Sequence, residues 1–339
     1  MVAARGRRRP SQSDVARVAG VSQTTVSLVL SGNKSGVSLA ETTRDRVLAA
    51  AEELGYTPDP VATRLALARN NILGLFTYTA TFPVGVEHSY YPSLAGVEAE
   101  AAAQGQDLLL FTGARPGQED IARRVRLADG CLFLGRHVPP PLLAGLLAEE
   151  YPFVHIGRRD ELEGRIPYVG ADYAPAATRV VRELRALGHR EIRYVRERDE
   201  AQASADREAG VRRAGVPVLR TDGPAVTPDR VAAWLAEGVT AFVTEETDTG
   251  AVFTALTRAL DTLGVDCPGR VSLAHLGAPP VTGWRDRLVS GFAVPRHEMA
   301  RDAVRLLLDR VAGAHELPHQ SLLPCPPVAG DTTGPAPLH

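Results

Sequence analysis

The sequence predicts an N-terminal all-α helix-turn-helix head followed by an α/β core of two lobes built on parallel sheets. Three observations carry this expectation. Two short apolar-periodic segments flank Gly20 within SQSDVARVAGVSQTTVSLVL, residues 11–30. A proline-marked segment, TPDPVATRLALARN, residues 57–70, separates them from the rest. Beyond residue 71, short apolar runs alternate with amphipathic helices in two successive sets.

Residues 1–10 read as a disordered basic tail, with Arg5, Arg7, Arg8 and Arg9 available for salt-dependent attraction to a polyanion. The head is expected over 11–57. Ser11 and Ser22 stand at N-cap positions, where a hydroxyl can accept an orphan amide hydrogen bond. Gly20 sits where the chain must reverse, in a conformation that glycine adopts without steric cost. Val15, Val18 and Ala19 form one apolar face, Val26, Val29 and Leu30 another, and Val21 fills the gap between the helices. The second helix then turns Gln23, Thr24, Ser27 and Leu28 outward. A third helix is expected from Thr43 to Leu54, with Gly55 as its stop; Ser38 and Glu41 have capping-box spacing that would start it earlier.

Residues 58–70 read as a linker containing a short helix that is marginal alone. In the core, ILGLFTY, DLLLF, GCLFLG and PFVHIG are buried strands, and SLAGVEAEAAAQG is the helix between the first two. PYVGAD opens a second set, followed by the helix PAATRVVRELRALG, then EIRYV, TAFVT, the helix GAVFTALTRALDTLG and VSLAHL. The expected lobes are 71–165 with 292–316, and 166–291 with 317–331. A ligand cleft is expected between them, near the carboxyl ends of the strands. The Pro-rich end, PCPPVAGDTTGPAPLH, is expected to be ordered only in part.

With 339 residues, 44% hydrophobic and 23% charged, the chain has the composition of a globular protein. Its net charge of −2 is unevenly spread: residues 1–70 hold 10 Lys and Arg against 6 Asp and Glu, and the remainder 28 against 34. A basic head on an acidic body suits a polyanion met by the head. No apolar run approaches the roughly 20 residues that span a bilayer. The basic start lacks the apolar segment of a secretory signal, so a cytoplasmic location without membrane contact is expected. Cys131, Cys267 and Cys325 are far apart, without metal-ligand spacing, and are expected as reduced thiols. No G-x-S-x-G, P-loop or phosphate-binding G-x-G-x-x-G follows a strand, and no catalytic constellation, metal site or cofactor is expected.

DVARVAGVSQTTVSLVL together with VSLAETTRDRVLAAAEELGYTPDPVATRLA, residues 37–66, resembles the lactose-repressor (LacI/GalR) family of bacterial transcription regulators. YVGADYAPAATRVVRELRALGHREIRYV and PRHEMARDAVRLLLDRVAG extend the likeness to the periplasmic-binding-protein-like core of that family. The resemblance implies a homodimer on palindromic double-stranded operator DNA. Gln23 and Thr24 would read base edges, with Ser27 and Leu28 beside them. Ser22, Thr25 and Asn33 would hold phosphates. Leu65 would wedge into the minor groove, with Arg64 beside it supplying charge. Leu28 stands where the family often has an arginine that reads guanine. Asp59 and Thr63 replace the usual Asn and Arg, and the loop Leu39–Thr42 is longer than usual.

For a small-molecule effector, sugar-like or other, the resemblance implies Asp172, Arg207 and an aromatic at Tyr90 or Tyr91, with Tyr90 taken as the candidate. Trp284 is placed on a candidate rim loop and Glu245 in the acidic run TEETDTG. Thr244 and Glu245 replace the Asn-Asp of sugar-responsive members, and Gly277 replaces a frequent aspartate. The acids Glu245, Glu246 and Asp248 fit either a cationic ligand or a solvated helix N-terminus. His189 matches a structural position of the family. The expected function is a DNA-binding transcriptional regulator, a repressor modulated through its cleft. The alternatives are a ligand-binding or enzymatic module with a non-regulatory head, and a regulator with a degenerate cleft. No C-terminal heptad repeat suggests a tetramer.

Overall fold

The computed structural model describes residues 10–30, 39–57, 70–77, 90–112, 121–135, 138–280, 284–314 and 320–337. The chain divides into two compact units, Met1–Asn70 and Asn71–His339.

The first unit holds α1 (Gln12–Ala19), α2 (Gln23–Leu30) and α3 (Glu41–Leu54). The expected capping of α1 is complete: the Asp14 amide donates to Ser11 Oγ at 3.4 Å, and the Ser11 amide donates to Asp14 Oδ2 at 2.9 Å. Gly20 ends the helix in the left-handed region at φ 65°. Val15, Ala16, Ala19, Val26, Val29, Val47, Ala50 and Ala51 form the core, with Val21 and Leu30 packed against it. Val18 is 42% exposed, contrary to expectation, because the inward stripe of α1 runs through 15, 16 and 19. The third helix starts two residues before Thr43, at Glu41, with Ala40 as its N-cap. Ser38 and the hinge residues 58–69 lie outside the described residues.

The second unit is built on two six-stranded sheets. The first contains β1 (Ile72–Thr77), β2 (Asp107–Thr112), β3 (Gly130–Leu134), β4 (Phe153–Ile156), β5 (Tyr168–Asp172) and β11 (Gln320–Pro324), all parallel, in the order β2-β1-β3-β4-β5-β11. The second contains β6 (Ile192–Arg196), β7 (Val218–Arg220), β8 (Ala241–Glu245), β9 (Ser272–Leu276), β10 (Ser290–Phe292) and β12 (Pro327–Val328), parallel except for β12. Central strands such as GCLFL and AFVTE are buried throughout, as parallel strands covered on both faces must be.

The expected lobe boundaries need correction. The strand in PYVGAD is β5 of the first sheet, paired with β4 and β11, although it opened the expected second set. Residues 320–324, assigned to the second lobe, likewise join the first. An apolar run predicts a buried strand but carries no mark of which parallel sheet receives it. The chain therefore crosses between lobes after β5, after β10 and after β11.

The connecting helices are α4 (Tyr91–Ala103), α5 (Ile121–Arg124), α6 (Pro140–Ala148), α7 (Tyr173–Ala186), α8 (Gln202–Arg213), α9 (Pro228–Ala236), α10 (Ala251–Thr262) and α11 (Arg296–Val311). The expected late helix, α11, returns to the first lobe against α4. Gly96 allows that approach: a Cβ there would stand 2.4 Å from the His297 carbonyl. Buried Glu100 then accepts from Arg301 Nε at 2.9 Å and Arg305 Nε at 2.8 Å. The Pro-rich end is tied to the second lobe as far as Ala336. Thr332 Oγ1 donates to the Leu273 carbonyl at 2.6 Å, His189 Nε2 lies 3.0 Å from the Gly334 carbonyl, and the Ala336 amide donates to Leu187 at 2.8 Å. The three cysteines are buried free thiols. Among the described residues no helix is long and apolar enough to cross a membrane, and no His, Cys, Asp and Glu cluster could hold a metal ion.

Candidate functional site

Each unit carries one candidate surface. On the head it is the leading edge of α2. Ser22 caps the helix, its Oγ accepting the Thr25 amide at 3.1 Å and lying 2.8 Å from Thr25 Oγ1. Ser22, Gln23 and Thr24 are exposed, while Thr25, Ser27 and Leu28 are half-buried. Val26 and Val29 anchor the opposite face. The helix carries no ionised side chain, so its edge offers amide, hydroxyl and methyl groups beside a positive helix terminus. Asn33, Arg64 and Leu65 lie outside the described residues.

In the core, one cleft is bounded by the ends of β3 and β4 on the first lobe, by the segment after β8 on the second, and by the first turns of α4, α7, α8 and α11. About 830 Å³ of space lies within it, part of it open to solvent. Of the five residues expected there, Tyr90 and Arg207 line it. Glu245 is one layer deeper, accepting from the Tyr194 hydroxyl at 2.6 Å and lying 3.0 Å from Arg196 Nε. Asp172 ends β5 and stands at the N-cap of α7, outside the lining. Trp284 belongs to the second lobe's core, where its Nε1–H donates to Asp261 Oδ2 at 3.1 Å and Arg285 lies 4.4 Å over its ring. An indole buried beside α10 with its N–H satisfied is packing, and the rim placement is corrected accordingly.

Glu246, the residue after β8, supplies the carboxylate that lines the cleft. Its Oε1 accepts from Arg296 Nη2 at 2.8 Å and its Oε2 from the Ala278 amide at 3.1 Å. Burial opposes its ionisation, but Arg296 and Arg207 outweigh that and hold it below the ordinary carboxylate value. Gly277 makes room: its φ is +119°, and a Cβ there would lie 2.4 Å from Glu246 Oε2. The acid absent at 277 is thus matched by one reaching the same space from the neighbouring strand. Glu245 and Glu246 are both buried and paired to arginines, so only exposed Asp248 fits the solvated helix terminus.

Sequence patterns did not single out Arg158, Arg159, His155 and Arg296. Arg158 bonds Asp206 and Asp160, and Arg159 bonds Glu161 at 2.8 Å. His155 Nδ1 lies 2.7 Å from the Gly157 carbonyl, which fixes the proton there; Nε2 is buried without a hydrogen-bond partner, and the residue lines the cleft. On the second lobe, His275 takes a Thr244 hydroxyl on Nδ1 at 2.8 Å.

Burial pushes His155 and His275 from 6.5 down to about 4. The unfolded chain takes up these protons near 6.5 and the folded chain only near 4, so stability falls as pH drops between those values. Hydrogen bonds from Arg305 and Gln104 hold Glu100 at about 2. At Glu208, burial is outweighed by Arg220, Arg212 and Arg196, with the same result. The contribution of these acids is complete above their unfolded value of 4.5 and lost as pH falls through about 2. Denaturant titrations should therefore show a stability that declines from pH 6.5 towards 2. A flat profile down to 4.5 would mean that the histidines protonate freely in the fold.

Residues 13–59 match the sequence model of bacterial regulatory proteins of the lacI family, and residues 181–333 that of the periplasmic binding protein-like domain. The chain is 31% identical over 330 residues to an uncharacterized HTH-type transcriptional regulator in the aml 5' region of Streptomyces limosus, covering 89% of this chain and 88% of that one. It is 29% identical to the HTH-type transcriptional regulator PtxS of Pseudomonas plecoglossicida over 93% of both chains. The fold is shared with the lac repressor dimer bound to operator and the anti-inducer ONPF, with TM-score 0.73 and 20% identity over 96% of this chain and 100% of that one. It is also shared with a transcriptional regulator CelR–cellobiose complex, with TM-score 0.64 and 24% identity over 96% and 100%.

Proposed function

The chain belongs to the lacI family of bacterial regulatory proteins, as a sequence-specific DNA-binding regulator with an effector-binding α/β core rather than an enzyme; from that premise we propose that it is a cytoplasmic repressor. It binds a palindromic operator as a homodimer and is released or retained by a small molecule in the inter-lobe cleft. The exposed edge Ser22–Gln23–Thr24, pinned by Val26 and Val29, is the observation that supports this reading best. Gln23 and Thr24 contact base edges, and Ser22 and Thr25 set register on phosphates. Two-fold protein symmetry is then mirrored in the half-sites. Tyr90 and Arg207 contact the effector. A ligand bound more tightly by one arrangement of the lobes shifts the population towards it, and with it the affinity for operator.

Selection from random-sequence duplexes by the full chain, across a salt series, tests this. The expected result is a palindromic consensus whose recovery weakens for Gln23→Ala and Thr24→Ala by about 1–3 kcal/mol of discrimination per lost base contact. Recovery of unenriched sequence, bound only through steeply salt-dependent attraction, would overturn it.

A further inference from the structure

Hydrogen-bond donors and acceptors are unequally satisfied around the cleft. The buried carboxylates nearby are claimed by guanidinium groups of the protein, Asp206 by Arg158 and Glu246 by Arg296 at 2.8 Å, and Glu161 is claimed by Arg159 at 2.8 Å; Asp248, also in the lining, is exposed. Arg207 is in the opposite condition. It is 2% exposed, and its Nη1 donates a hydrogen bond to the Glu246 carbonyl at 3.0 Å. The carboxylates of Glu246 and Glu245 stand off at 3.8 and 4.0 Å, and the buried Nε has no acceptor. The Tyr173 ring, 4.3 Å away, holds one face of the guanidinium.

Resting on the reading that the cleft holds an effector, we propose that this effector is an acid: a small polyhydroxylated molecule whose carboxylate or phosphate group is bound by Arg207 and Arg296. An anionic oxygen pair satisfies the guanidinium fork that the protein leaves short of acceptors, and such charge-assisted pairs are strong when water is excluded. A neutral sugar fits worse. Each of its hydroxyls must donate, and the buried carboxylate of the lining, Glu246, is already engaged. What the lining offers hydroxyls is mostly neutral: the buried His155 imidazole, Ser93 on the first turn of α4, and the Gln202 and Thr247 side chains, with Asp248 exposed to solvent. Such neutral partners suit the polyol body of an acid whose charged end lies on Arg207.

The test is calorimetric titration of the full chain with D-gluconate, D-galacturonate and D-glucose 6-phosphate against uncharged D-glucose and cellobiose. Operator affinity is followed in parallel. At least one acid is expected to bind at least about tenfold more tightly than the uncharged sugars, since a charged hydrogen bond left unmade costs about that much or more. Arg296→Gln, at the less buried arginine, should remove most of that preference while leaving the fold intact by circular dichroism. Gluconate and glucose 6-phosphate distinguish carboxylate from phosphate. Binding of the uncharged sugars in preference, or of none of the acids, would overturn the proposal without touching the operator-binding reading. Acid binding that leaves operator affinity unchanged would uphold the site chemistry and overturn effector control instead.

Discussion

Arg196→Met is expected to lower the unfolding free energy of the core by about 3–5 kcal/mol, the cost of removing one partner from a buried ion pair. Arg196 is 1% exposed and lies between two carboxylates, with Nη1 2.7 Å from Glu208 Oε2 and Nε 3.0 Å from Glu245 Oε1. Glu208 keeps Arg212 at 2.8 Å and Arg220 at 2.9 Å when Arg196 is lost. Glu245 does not fare as well. Its side chain is wholly buried, its hydrogen bond comes from the Tyr194 hydroxyl, and Arg207 stands 4.0 Å away. Methionine fills much of the arginine's volume, so the loss measures stranded charge more than a cavity. Glu245→Gln in the same chain should restore part of the stability, because a neutral amide no longer needs the cation. Denaturant unfolding of the three proteins checks this. A cost below about 1 kcal/mol for Arg196→Met would place the pair among interactions that break even against apolar packing.

This network also shows where sequence patterns stop being informative. The head was legible nearly to the residue, because caps, a turn glycine and helical periodicity are local. Ser11 and Asp14, Ser22 and Thr25, and Gly20 all act within four positions of their partners. Strands were legible as apolar runs for the same reason. Sheet membership was not, and β5 went to the first lobe because its register partners, β4 and β11, include one about 150 residues away in sequence. At the cleft, the resemblance pointed to Arg207, which lines it, yet two adjacent glutamates divided their roles by strand alternation. Glu245, inside β8, turns to Arg196 and Tyr194; Glu246, one residue on, reaches Arg296. Arg296 itself, at the start of a late helix, had no local signal to link it with residue 246. A glycine at 277 read as a lost ligand position. The structure shows it as the space that a neighbouring carboxylate occupies.

Val26→Asp is expected to abolish operator binding while leaving ligand binding by the core unchanged. Val26 is fully buried, and every buried residue of its cluster comes from the three helices of the head. Four of those eight buried residues are alanines, so the core is thin. A unit of this size sits close to the limit of independent stability. Burying an unpaired carboxylate in it costs several kcal/mol, and protonation to escape that cost is itself unfavourable at neutral pH. A penalty of about 4 kcal/mol reduces the folded head about a thousandfold, and apparent operator affinity falls by whatever part of that exceeds the head's own stability. Calorimetric melting of the full chain should show the transition of the core in place and that of the head missing. Gln23→Ala separates fold from readout, because an exposed side chain can be cut back without disturbing Val26: its head should melt normally while discrimination between operators falls. If Val26→Asp held operator as tightly as the parent, the α2 face could not be the surface that reads DNA.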